Sequence, residues 1–141
     1  MEQVFKNILP VQLRFNDIDI LGHVNNNAYF SFFDLGKTAY FEAVRGCRFD
    51  WTNTDIVIRR IETDFVEPTF FQDEIAVETA VIKIGNKSLQ MQQRIIDMNT
   101  QRVKCICTTV MVGFDVKTNQ AMAISTCWKE AIRQYEQNPE L

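Results

Sequence analysis

From Ala28 to Val44, apolar side chains return at helical spacing. Tyr29, Phe32, Phe33, Gly36, Tyr40 and Ala43 fall on one side, and Ser31, Asp34, Thr38, Glu42 and Arg45 form a narrow polar stripe opposite. Phe30, Leu35 and Phe41 widen the apolar surface. The pattern predicts a long helix wrapped over most of its circumference by other structure. Gly36 in its interior costs about 1 kcal/mol relative to alanine, a cost that close approach of another backbone would explain. The period changes on either side. Val4 to Phe15 alternates loosely. Beyond a polar loop at Arg48 to Asp55, the chain reads as strands: Ile56 to Val66, ended by Glu67-Pro68; Glu74 to Ile84; Ser88 to Met98; and Arg102 to Phe114. In the second of these Ile75, Val77, Thr79 and Val81 share a face; in the third Leu89, Met91 and Ile95 do. Gly85-Asn86-Lys87 reads as a turn. Ser125 can cap a last helix on which Trp128, Ala131, Ile132 and Tyr135 share a side. Strand, long helix, four strands and short helix, in that order, predict an α+β fold.

Composition narrows the classes. The chain has 141 residues, which suits one domain over 1–141, and 46% hydrophobic with 23% charged residues argues for a packed core. A net charge of −3 leaves no basic excess for a phosphate backbone, so no nucleic-acid partner is expected. The opening MEQVFKNILPVQLRF lacks a positive region followed by an apolar run, so no signal peptide is expected. No apolar stretch is long enough to predict a membrane span. Cys47, Cys105, Cys107 and Cys127 lack the C-x-x-C of zinc and dithiol sites; reduced thiols in a cytoplasmic protein are expected. On a strand, Cys105 and Cys107 point to one side, toward the core.

The chemistry concentrates in residues 15–30, FNDIDILGHVNNNAYF. Asp17, Asp19 and His23, the only histidine, precede three asparagines and the aromatic helix. Asparagine is a strong N-cap. A helix start carries free N–H groups and a partial positive charge, suited to an anion or a polarised carbonyl. Gly22 allows a tight turn between strand and helix. One loop thus holds a carboxylate able to act as base or nucleophile and donors able to stabilise an oxyanion, two of the parts acyl transfer requires. The same residues also suit a plain turn, so both readings stay open on composition. No second cluster of acids, histidine or cysteine completes a metal site around Asp17, Asp19 and His23, and none is expected. There is no G-x-S-x-G and no glycine-rich phosphate loop.

The string D-I-D-I-L-G-H-V-N-N-N-A-Y-F resembles the opening motif of hotdog-fold acyl-CoA thioesterases of the 4-hydroxybenzoyl-CoA thioesterase family, and G-H-V-N-N is similar to the branch acting on long-chain acyl-CoA. F-F-Q-D-E-I-A-V-E-T resembles the start of that family's central strand, and I-G-N-K-S-L its next hairpin. The resemblance covers about residues 5 to 115 and is specific at the motif. It implies a curved antiparallel sheet of about five strands around one long helix, in dimers or tetramers with sites between subunits. It implies hydrolysis of an acyl-CoA or acyl carrier protein thioester, without a cofactor. Asp19 would be nucleophile or general base, the backbone N–H near Asn26 the oxyanion donor, and Gly22 the point where the thioester approaches; His23 would support the loop. Asp17 is read as a turn acid. Substrate contacts would come from Asn25 and Tyr29 at the helix start, with Tyr29 as pocket wall, and from Lys87 and Ser88 toward the phosphates of coenzyme A. Two other readings stand beside this one: a hotdog enoyl-thioester hydratase or dehydratase, and a non-catalytic acyl-ligand binder.

Overall fold

The aromatic run after the asparagines forms one helix, α1 (Asn26–Arg45), in a computed structural model that describes residues 3–45 and 56–141. The polar loop at Arg48 to Asp55 and Cys47 lie outside the described residues. Around α1 curves an antiparallel sheet of β1 (Asn7–Val11), β2 (Ile56–Phe65), β3 (Ile75–Ile84), β4 (Ser88–Asp97) and β5 (Val103–Asp115), in the order β1-β3-β4-β5-β2. A three-residue strand, β6 (Gln120–Met122), adds to β5. The last helix, α2 (Thr126–Glu136), starts at Ser125, whose Oγ accepts the Trp128 N–H at 3.2 Å. This is the α+β arrangement expected, with β1 shorter than the alternation suggested and β6 added.

The core forms in two parts along α1. Tyr29, Phe32 and Phe33 meet Ile75, Val77, Ile95, Cys105 and Cys107. Tyr40 and Phe41 meet Val81, Leu89, Met91, Met111 and Ile132 of α2. Both C-x-C thiols are buried, and burial pushes the Cys105 thiol up to about 12. Between the two parts lies a polar waist. Gln93 of β4, fully buried, donates through Nε2 to the Phe33 carbonyl (2.9 Å) and to Thr79 Oγ1 (3.0 Å). Gly36 makes this possible: a Cβ there would meet Gln93 Nε2 at 2.8 Å and Val77 Cγ2 at 2.9 Å. The close approach to Gly36 therefore comes from side chains of the sheet, where the sequence suggested a backbone. Lys37 is nearly buried beside the waist, and desolvation lowers its pKa against the pull of Asp34, 3.6 Å away. Ala43 turns outward, while Val44, half-buried, packs against the second part of the core.

α2 is fastened by a carboxylate. Glu136 Oε2 accepts the Tyr40 hydroxyl (2.7 Å) and the Val81 N–H (3.1 Å). Val81 sits at the register shift between β3 and β4, where the ladder leaves its N–H to another acceptor.

Candidate functional site

The stretch between β1 and α1 turns sharply three times. A single 3-10 turn at Phe15–Asp17 comes first. Asp17 is buried within it: its carboxylate accepts the Arg14 backbone N–H (2.8 Å) and the Arg14 guanidinium (3.1 Å), and its carbonyl accepts the Asn25 N–H (2.8 Å). Both ends of the loop are tied through this residue. The second turn is a small hairpin. Ile18 bridges Val24, the Asp19 N–H donates to the His23 carbonyl (3.0 Å), and the Gly22 N–H donates to the Asp19 carbonyl (3.0 Å). Gly22 has φ of +83°, the left-handed region that glycine adopts without strain, and a Cβ there would find nothing within 4 Å. Asp19 Oδ1 accepts the Leu21 N–H (2.9 Å), an Asx turn; among the described residues no group donates to Oδ2. The carboxylate is thus oriented by one oxygen and open at the other.

The third turn starts α1. Asn25 is the cap: its Oδ1 accepts the Asn27 N–H (2.9 Å) and its carbonyl the Ala28 N–H (2.9 Å). Of the first three helical N–H groups, that of Asn26 alone has no acceptor among the described residues. It is the donor left for an outside oxygen.

A second segment braces this loop. Thr69, in the connection from β2 to β3, accepts the Val24 N–H at its carbonyl (2.8 Å) and the Tyr29 hydroxyl at Oγ1 (2.9 Å). Phe70 meets the His23 ring edge to face, centroids 5.2 Å apart. Tyr29 itself is buried against Phe32 and Phe65, and burial raises its pKa. Its hydroxyl is engaged in holding the brace.

Lys87 and Ser88 stand elsewhere. They form the β3–β4 turn, where the Gly85 N–H donates to the Ser88 carbonyl (2.7 Å). The acid loop sits by the other end of β3, because Val11 pairs Ile75 and Val24 bonds Thr69. Nine residue steps of strand separate the two ends, about 30 Å at roughly 3.3 Å per residue. Within one chain the structure brings together Asp19, Gly22, His23, Asn25, Asn26 and Tyr29, and leaves Lys87 and Ser88 at the far end. Among the described residues no three metal-ligating side chains cluster, and no helix is long and apolar enough to cross a membrane.

Comparison with protein families matches residues 13–132 to the thioesterase-like superfamily. The chain belongs to that superfamily. Comparison by sequence with curated proteins finds no match. Among solved structures, this thioesterase-like chain is similar to a thioesterase from Thermus thermophilus complexed with coenzyme A and zinc, at 27% identity and TM-score 0.85, over 96% of this chain and 97% of that one. A 1,4-dihydroxy-2-naphthoyl-CoA thioesterase from Synechocystis shares the fold at 14% identity and TM-score 0.78, over 89% and 93%. A DHNA-CoA thioesterase from Staphylococcus aureus does so at 15% and 0.80, over 93% and 91%. The hotdog fold implied by the opening motif is the fold of this superfamily member. The brace residues Thr69 and Phe70 were not legible in advance: their segment carries no period, and only the spatial pairing of Thr69 with Val24 reveals them.

Proposed function

We infer that the protein hydrolyses acyl-CoA thioesters, with Asp19 as the reacting carboxylate. The observation that carries this reading is the pairing, in one loop, of the open Asp19 Oδ2 with the unclaimed Asn26 N–H at a helix start. The carboxylate attacks the thioester carbonyl carbon, or deprotonates a water that does, and the C–S bond breaks to expel coenzyme A as thiolate, which takes up a proton from water, in the second route the one Asp19 removed. In the first route a mixed anhydride is then opened by water, which returns Asp19 and releases the acid. The Asn26 N–H takes up charge on the carbonyl oxygen, and one such donor, well placed, is worth about 3–4 kcal/mol of barrier. The Thermus thermophilus thioesterase complexed with coenzyme A supports a coenzyme A thioester over other acyl carriers.

The site is completed by a second copy of the chain. β2 is an edge strand of ten residues with Ile58, Ile61 and Phe65 exposed. Such an edge, long and with apolar side chains exposed between the charges of Arg59, Arg60, Glu62 and Asp64, offers a row of backbone groups to a partner strand of complementary charge. Lys87 and Ser88 lie far from Asp19 of their own chain, so any contact they make with the nucleotide phosphates serves the site of another subunit in a dimer or tetramer.

A thiol-release assay across acyl-CoA chain lengths, from acetyl to palmitoyl with an aromatic acyl included, tests the activity. Release of free thiol above background from at least one thioester is the expected result. Absence of release from all of them, or hydration of an enoyl-CoA without release, contradicts it.

A further inference from the structure

Behind the brace lies a cluster of charges. Lys104 of β5, nearly buried, directs its ammonium at the Pro68 carbonyl (3.2 Å), Glu67 (3.5 Å) and Asp73 (3.6 Å). The backbone closes on the same residue, with the Val66 and Glu67 N–H groups donating to the Lys104 carbonyl at 2.9 and 3.2 Å. Asp73 in turn accepts the Phe70 N–H (2.9 Å), and Arg102 holds Glu67 through two bonds (2.9 and 2.7 Å). On this side the segment from Val66 to Asp73 is thus held at Lys104 through its backbone, Glu67, Pro68 and Asp73, with Arg102 as a second hold on Glu67. On its other side, among the described residues, the segment meets the acid loop through the Thr69 carbonyl on Val24 and Phe70 on His23. A cation this enclosed is costly unless several acceptors share it, and here the acceptors all belong to the one segment.

We propose that Lys104 is a positioning residue for the Asp19 site: its ammonium anchors the segment 66–73, and that segment holds the acid loop against the start of α1. This rests on the reading of Asp19 as the reacting group. Lys104 touches no reacting atom. It acts through Thr69 and Phe70, which fix the spacing between the Asp19 hairpin and the Asn26 N–H, and a shift of about 1 Å in such a spacing costs up to about 100-fold in rate.

The test uses the untagged chain, in which His23 is the only histidine, so imidazole proton signals in NMR report on the loop alone. Lys104→Met keeps the aliphatic stem and removes the charge. It is expected to move the His23 signal, through the changed position of the Phe70 ring, and to lower kcat about ten-fold with KM within about three-fold of wild type. If Lys104→Met does not fold, Asp73→Ala, which removes the acceptor of Phe70 and a partner of Lys104, is expected to give the same two changes. An unmoved His23 signal in a folded variant overturns the proposal, as does a moved signal with kcat unchanged. A wild type that releases no thiol overturns the reading of Asp19 instead, and the His23 signal then still decides whether Lys104 holds the loop.

Discussion

Single residues in the loop and helix separate geometry from stability. Gly22 and Gly36 are both glycines of necessity, for different reasons. At Gly22 the backbone is left-handed and the space beyond it open, whereas at Gly36 the backbone is helical and the space is filled. Gly36→Ala forces Gln93 and Val77 apart and is expected to cost about 1–3 kcal/mol, the range for overpacking a core, with kcat/KM unchanged below its melting temperature. Gly22→Val combines strain from a β-branched residue at positive φ with a side chain in the open space where, on the proposed reading, the thioester approaches. Its loss in kcat/KM should exceed anything its melting temperature explains. Asn25→Ala removes the cap and should cost about 1 kcal/mol, together with activity, since a frayed helix end misplaces the Asn26 N–H. Melting curves beside kcat/KM for the three variants check this. Activity that merely follows stability in all three would mean the loop is a turn and a cap.

At the scale of elements, most of the fold was written in the period of the sequence. Tyr29, Phe32, Phe33 and Tyr40 point inward as their spacing requires, Ser125 caps α2, and Cys105 and Cys107 share the core face. What the pattern missed has physical reasons. β6 is exposed along its length and, among the described residues, pairs with β5 alone, so no alternation marks it. Ala43 is too small for its side of the helix to be told from composition. Lys104 lies in a strand of Val, Ile, Thr and Cys where a lone cation reads as solvated, and its enclosure depends on a segment that sequence spacing does not bring near. The brace also has its own pH signature. Arg102, with Lys104 behind it, holds the Glu67 carboxyl at about 2, below its ordinary 4.5. A carboxylate with a depressed folded pKa adds stability above its unfolded value, and that stability is lost as pH falls toward the folded one. The melting temperature should therefore drop between about pH 4.5 and 2, and Glu67→Gln should flatten that part of the drop. An identical acid limb in both proteins would contradict the pairing.

The whole molecule is an open sheet with one long edge, β2, paired by β5 along one side and, among the described residues, without a partner strand along the other. β2 exposes three apolar side chains beside the acid loop's brace, a surface that a solitary subunit would leave prone to unspecific pairing. Light scattering at micromolar concentration is expected to give a dimer or tetramer, and Ile61→Lys, a charge on that edge, to shift it toward monomer and lower activity with it. A monomeric wild type would remove the shared site and leave Lys87 and Ser88 without a role in it. The central claim rests on one oxygen of one side chain. Asp19→Asn keeps the size of the group and the Leu21 contact while removing the charge. The measurement is kcat for thiol release by this variant beside wild type and Asp17→Asn, with folding checked by circular dichroism. The account predicts a loss of at least about 100-fold for Asp19→Asn, the scale of lost general-base help, in a protein as stable as wild type, and for Asp17→Asn a loss of stability with much less loss of rate. Near-normal turnover by folded Asp19→Asn, or equal losses at the two acids, would contradict it.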